Sequence, residues 1–294
     1  MKIAIYGKRI EPKKVDDFKQ LFQKLKKSNC EVMIFEALSK EVQQHSALEP
    51  VSWPTFSSHQ DLKQGIDFLI SVGGDGTFLN TILLIRDLNI PVLGINTGRL
   101  GFLSNVPTSE IDWAIDCLLA GKYSTETKSM LQLNSETPHF GKDNLALNEV
   151  SILKRDSASM IIIHVELNGQ HLNSYWTDGL IISTSTGSTA YSLSCGGPIL
   201  MPGGGNFVIT PIAPHNLNVR PIVISDDSIL NLKVESRSDK SLIALDSRSV
   251  EVANEEEISI QKAPYSLNVI QLDENSFIQS LRNKLNWGLD KRNS

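Results

Sequence analysis

The chain has 294 residues, 40% of them hydrophobic and 21% charged, with 28 basic against 33 acidic side chains and a net charge of −5. That length supports a large core and two domains, and the acidic balance argues against nucleic acid or an anionic membrane as the main partner. No apolar run reaches membrane-spanning length, and Met1–Tyr6 is too short for a signal peptide and runs into a glycine turn.

Ile3–Tyr6 reads as a buried strand ending at Gly7, and Val15, Phe18, Leu21, Phe22 and Leu25 fall at helical spacing with lysines on the other face. Strands follow over Glu31–Phe35, Asp67–Val72 and Ile90–Ile95, with a helix over 77–88 between the last two. Between them, 38–46 reads as a helix, followed by a loop containing Pro50 and Pro54 and a short helix near Ser58–Gln64. This βαβ alternation predicts a Rossmann-like parallel sheet covered by helices, with ligands bound beyond the carboxyl ends of the strands. A helix over Ile111–Leu119, ended by Gly121, completes this half.

The pattern then turns to strands: Leu131–Leu133, Val150–Leu153, Met160–Leu167, an Asn168-Gly169 hairpin turn with a strand continuing through Leu172, Gly179–Ser183, Ile222–Ser225, Ile229–Val234, Leu242–Leu245, Val250–Val252 and Ile258–Ile260. We read this half as a β-sandwich, with Glu255-Glu256-Glu257 as a solvated hairpin tip. Phe277, Leu281 and Leu285 mark a final amphipathic helix stopped near Gly288. The expected fold class is thus α/β plus all-β: an α/β domain over 1–125, a β-sandwich over 126–270 and a C-terminal segment over 271–294. Cys30, Cys117 and Cys195 are far apart and show no zinc spacing; free thiols in a reducing cytoplasm account for them, so a cytoplasmic location is expected. No internal repeat and no His or Cys metal cluster is visible.

The richest segment is Ser71-Val72-Gly73-Gly74-Asp75-Gly76-Thr77-Phe78. A strand, a glycine loop and a helix start are the ingredients of a phosphate cradle. Asp75 fits that setting as a metal ligand or as the acceptor of a proton from a hydroxyl attacking phosphate; the alternative is that it only caps the helix. Six of the nine residues from 183 to 191 are Ser or Thr around Gly187, a composition suited to ribose, amide or phosphate recognition or to capping a helix over 188–194. Tyr191 offers a ring to a flat base. Asn148-Glu149 can hold a nucleoside or form a strand-start turn. Arg99, within Asn96–Leu103, faces phosphate or solvent. His215, in Pro214-His215, reads as structural, since nothing nearby in the sequence completes a dyad.

Together Gly73–Thr77, Asn148-Glu149, Asp178-Gly179, Thr186-Gly187-Ser188-Thr189-Ala190-Tyr191, Pro214-His215, Asn96–Leu103 and Leu281–Gly288 resemble the bacterial NAD kinases, in order and over most of the chain. The glycine–aspartate loop alone is shared with lipid kinases and phosphofructokinases; the Thr186–Tyr191 element is more specific. The resemblance implies transfer of the terminal phosphoryl of ATP, or of polyphosphate, to the 2′-hydroxyl of the adenosine ribose of NAD, giving NADP, with a divalent metal such as magnesium. It implies an active site between the two domains, a C-terminal segment packed back on the first, and a homodimer or homotetramer. By motif it makes Asp75 the general base, with Gly73, Gly74, Gly76 and Thr77 near the phosphates and Asn148 and Glu149 holding NAD. It sets Asp178, Thr186, Thr189, Ala190, Tyr191, Ser192, Leu193 and Ser194 around the rest of the NAD, with Arg248 as a weaker match touching substrate. Trp176 stands where many relatives carry a polar or basic residue near the substrate, so stacking on a ring and packing at a subunit interface both stay open, as does the choice between NAD and NADH. The competing readings are a diacylglycerol- or sphingosine-type lipid kinase sharing the loop, and a non-catalytic NAD(P) sensor.

Overall fold

The computed structural model describes residues 1–98, 101–155, 160–238, 240–254, 256–272 and 277–287. Two compact units form: Met1–Thr127 with Leu267–Ser294, and Lys128–Ser266.

The first unit is built on a sheet whose strands run in the order Thr55–Phe56, Glu31–Phe35, Lys2–Tyr6, Phe68–Val72, Val92–Asn96, Leu267–Gln271 and Ser124–Lys128. The pairs from Thr55–Phe56 through Leu267–Gln271 are parallel. Phe68–Val72 and Val92–Asn96 are buried at every position, as central parallel strands covered on both faces must be. The helix Val15–Lys27 turns Phe18, Leu21, Phe22 and Leu25 onto this sheet, where they join Ile3, Ile5, Ile34, Ile70 and Leu93 in one core. The expected helix over 77–88 is instead two short ones, Asp75–Leu79 and Thr81–Ile85. Asn80 breaks it by bonding its side chain back to the Gly76 carbonyl at 2.6 Å, the local competition that makes Asn a poor helix-interior residue. The C-terminal helix runs Phe277–Leu285 with Leu281 buried; the stop near Gly288 lies outside the described residues.

The second unit holds two six-stranded antiparallel sheets. Their facing side chains, among them Val150, Ile152, Leu180 and Ile182 from one and Ile161, Ile163, Val165 and Leu232 from the other, form a single core, so the unit is a β-sandwich. The strand Ile161–Leu167 alternates buried Ile161, Ile163 and Val165 with outward His164 and Glu166, and the Asn168-Gly169 turn holds both residues at positive φ. Among the strands longer than two residues, Asn206–Ile212 in the second unit and Ser124–Lys128 and Leu267–Gln271 in the first are absent from the expectation. The solvated tip at 255–257 also needs correction. Glu256 has only 12% of its side chain exposed and both carboxylate oxygens lie 2.8–2.9 Å from His139 Nε2; Glu255 lies outside the described residues.

Candidate active site

In the first unit the chain leaves the buried strand Phe68–Val72, turns through Gly73 and Gly74, and enters Asp75–Leu79. Asp75 does not cap that helix: Gly74 holds the N-cap position and no side-chain cap bond is made. The carboxylate reaches instead to a loop about 28 residues on. Oδ2 accepts the Phe102 N–H at 2.8 Å, and Oδ1 accepts the Leu103 and Ser104 N–H groups at 3.1 and 2.9 Å. Asn96 secures the same loop, donating to the Ser104 carbonyl and accepting from the Gly98 N–H. Three of the four lone-pair directions of the carboxylate are thereby used, which fixes its orientation and leaves one direction open. Glycine is required at 101, because a Cβ there would lie 1.8 Å from Asp75 Oδ1. Gly101→Ala is expected to push the carboxylate out of place and lower kcat by roughly 10²-fold, the scale of a 1 Å misplacement. The melting temperature, measured beside kcat, should fall as well, because the displaced carboxylate gives up N–H partners; an alanine variant at wild-type turnover would remove the requirement. Arg99 lies outside the described residues.

The C-terminal helix contributes a residue that sequence reasoning passed over. Lys284 Nζ lies 3.8 Å from the centroid of the Phe102 ring. Burial pulls its ammonium down to about 8, against the pull of the nearby Asp75 charge in the other direction.

The second unit gathers another group. Asn148 and Glu149 open the strand Glu149–Lys154, beside Gly179–Thr184. The Ser/Thr-rich turn folds against them: Thr184 Oγ1 donates to the Leu147 carbonyl and the Thr184 N–H to that of Asn148, and a Cβ on Gly187 would sit 2.1 Å from the Asn148 carbonyl oxygen. Asp246, half-buried and at positive φ, accepts the N–H groups of Leu147, Asn148 and Glu149 at 2.8–3.1 Å. The Asn-Glu pair is thus held by a carboxylate clasp of the same kind as the one on Phe102–Ser104.

Glu149 is 8% exposed and its Oε2 has no partner among the described residues. Burial, then the Asp246 charge, push its carboxyl up to about 8. Burial also raises Asp246, while its three N–H bonds and Arg248 pull it back. Thr186 Oγ1 is likewise buried without a partner. Two orphan polar atoms beside one turn mark where a hydrogen-bonding ligand belongs. Thr189 bonds back to Thr186. Ala190 adopts a backbone conformation outside the helical region and separates Gly187–Thr189 from the short helix Tyr191–Ser194. Tyr191 is exposed, Leu193 half-buried and Ser194 exposed, whereas Ser192 is fully buried and bonded to Thr210 at 2.8 Å. Arg248 donates to the carbonyls of Asp143 and Leu145 and lies over Phe140, so its guanidinium braces the segment before Asn148.

Among the described residues, Trp176 and Asp178 share no hydrogen bond with Asn148, Glu149 or the 184–194 turn. They line an open cavity of about 720 Å³ with His215, Met160, Ile162 and Arg237. Asp178 pairs with Lys154 at 2.7 Å, and the His215 N–H donates to the Trp176 carbonyl, which ties the Pro214-His215 turn to this strand.

Among the described residues no group of three or more His, Cys, Asp and Glu side chains is arranged to hold a metal ion. No helix among them is long and apolar enough to cross a membrane.

Comparison with known proteins gives a consistent picture. Residues 3–123 match the family model of the ATP-NAD kinase N-terminal domain and residues 147–272 that of the ATP-NAD kinase C-terminal domain. An NAD kinase of Flavobacterium psychrophilum is 46% identical over 295 residues, covering 100% of both chains. One of Bacteroides fragilis is 43% identical over 292 residues, covering 99% of this chain and 100% of its own. Among solved structures, yeast NADH kinase complexed with NADH shares the fold at a TM-score of 0.88 and 22% identity, over 100% of this chain and 89% of its own. An Archaeoglobus fulgidus NAD kinase in complex with ATP matches at a TM-score of 0.73 and 27% identity, over 97% of this chain and 98% of its own.

Proposed function

The chain belongs to the NAD kinase family, and from that premise we propose that it transfers the terminal phosphoryl of ATP to the 2′-hydroxyl of the adenosine ribose of NAD, with Asp75 as the base. The observation that carries the assignment is the held carboxylate of Asp75, its oxygens fixed by the Phe102, Leu103 and Ser104 N–H groups beside a glycine turn. As the ribose oxygen bonds to the γ-phosphorus, its proton passes to the free lone pair of Asp75. The bond from the γ-phosphorus to the bridging oxygen breaks, that electron pair stays on ADP, and NADP results. Gly73, Gly74, Gly76 and Thr77 offer close backbone approach to the phosphates. Asn148 and Glu149 hold the nucleoside, the Glu149 carboxylate accepting from a ribose hydroxyl. Thr186, Thr189, Ala190, Tyr191, Ser192, Leu193 and Ser194 form its surround, Ser192 and Arg248 acting by bracing their neighbours and Trp176 and Asp178 lining further space for the dinucleotide.

A divalent ion, magnesium in this reading, travels with the triphosphate and neutralises charge on the phosphate oxygens; carried this way it needs few protein ligands, and we assign it none. The free thiols of Cys30, Cys117 and Cys195 support a cytoplasmic setting. Exposed Leu217, Ile222 and Val223, the last two on the edge strand Ile222–Ser225, support a homodimer or homotetramer. The test is an end-point assay of purified protein with NAD, ATP and Mg²⁺, NADP being read by an NADP-specific dehydrogenase. NADP formation is expected. NAD binding without NADP, with ATP or polyphosphate as donor, would instead favour a sensor, and phosphorylation of diacylglycerol or sphingoid bases alone would favour a lipid kinase.

A further inference from the structure

We propose that Lys284, on the C-terminal helix Phe277–Leu285, is the protein cation that meets the phosphate chain of the nucleotide at the Asp75 loop. The inference rests on the phosphoryl-transfer reading of Gly73–Thr77 and adds to it a residue from the far end of the chain. The strand Leu267–Gln271 lies parallel to Val92–Asn96 and returns the chain to the first unit. The helix that follows is anchored by Leu281, which is 4% exposed, and by the Phe277 ring, 6.3 Å from that of Phe102. These contacts set Lys284 Nζ against the face of Phe102 at 3.8 Å. Phe102 is also the residue whose N–H holds Asp75 Oδ2.

Three observations favour a phosphate partner. The Gly73–Thr77 turn carries a carboxylate and no basic side chain, so by itself it repels the substrate it would bind. A surface lysine extends its ammonium into water, whereas this one is held against a ring and partly desolvated, at a cost reflected in its lowered basicity. Among the described residues it makes no ion pair within 4.0 Å, and the charge it senses is that of Asp75, with Arg282 the other basic group on its helix. The ring satisfies one face of an ammonium that has three donors. Phosphate oxygens fill the remainder, and a cation placed there offsets the charge that Asp75 would otherwise oppose.

The test compares wild type, Lys284→Met and Lys284→Arg. ATP binding is measured by calorimetry at pH 7.0 and 9.5 without NAD, NADP formation is measured separately, and thermal melting is the fold control. Expected is ATP binding weakened roughly 10–100-fold in Lys284→Met at pH 7.0, with Lys284→Arg near wild type. Wild-type affinity should fall between the two pH values as the ammonium deprotonates, and Lys284→Arg should hold its affinity across them. ATP affinity equal in wild type and Lys284→Met, including no binding by either, would overturn the proposal, and a lowered melting temperature alone would leave Lys284 as a helix staple. Failure of the wild type to form NADP while the ATP series behaves as expected would count against the NAD kinase reading and leave Lys284 in its role.

Discussion

Replacing Asp75 by Asn is expected to lower turnover by roughly 10²–10⁴-fold, the usual weight of a general base. The substitution also touches the loop that holds the carboxylate. An Asn oxygen in the place of Oδ1 still accepts the Leu103 and Ser104 N–H groups, but its amide then points N–H at the Phe102 N–H that Oδ2 accepts. That donor-against-donor contact costs about 1–3 kcal/mol if it cannot relax, so a small drop in melting temperature should accompany the kinetic loss while the far-UV spectrum stays the same. Single-turnover kinetics with saturating NAD and ATP separate the two effects, since loosened binding disappears at saturation and a lost base does not. An Asn variant within a few-fold of the wild-type rate at saturation would remove Asp75 from proton transfer and leave it as the clasp of its loop.

Glu149→Gln is expected to stabilise the protein above neutral pH and to weaken its hold on NAD. Burial pushes the Glu149 carboxyl from 4.5 to about 8. Between those two values the folded protein keeps a proton that the unfolded chain has released. A group raised in the folded state contributes stability at low pH and loses it as pH rises, so wild-type stability should decline from about pH 4.5 to about pH 8, by at most about 1.4 kcal/mol per pH unit from this group. Gln carries no such proton. Denaturant midpoints of the two proteins should therefore coincide near pH 4.5 and separate in favour of the variant by pH 8. Removing a charged acceptor of a ribose hydroxyl costs about 1.5–3 kcal/mol, roughly 10–150-fold in NAD affinity. Since binding draws on the ionised form, wild-type affinity should rise with pH up to about 8 and that of the variant stay level. Equal NAD affinity with two flat profiles would take Glu149 out of the nucleotide site.

Much of the frame is readable because its strands are apolar for a physical reason. Phe68–Val72 is buried at all five positions and reads as an unbroken hydrophobic run. Ser124–Lys128 is mostly exposed and carries no apolar side chain, so nothing marks it as a strand until its neighbour is known. Asn206–Ile212 is hidden by Pro211, which is demoted in any pattern reading yet pairs with Leu180 inside a sheet. The site divides in the same way. Asp75, Asn148, Glu149 and the Thr186–Tyr191 element are legible by residue type and spacing. What fixes them is not, because the partners of Asp75 and Asp246 are backbone N–H groups, and every residue but proline carries one. Lys284 escapes for a different reason: on an amphipathic helix a lysine is read onto the water-facing side, and only the approach of Phe102 shows otherwise.

The return of the chain at Leu267–Gln271 to pair with Val92–Asn96 bears on how the protein is made. Synthesis proceeds from the amino end, and domains fold as units while the chain emerges. All the strands of the sandwich lie within Lys128–Ser266, so that unit has its full complement of strands before the first one does. The first sheet must wait on the ribosome with the edge of Val92–Asn96 covered by Val106–Pro107 only at Ile95 and Asn96 until residues 267–271 appear, and such an edge invites pairing with another nascent chain. Truncation just after the sandwich would leave a translation product whose sheet is unfinished and whose glycine loop lacks the helix bearing Lys284. Stalling late in the message should therefore yield aggregates rather than a weakened enzyme.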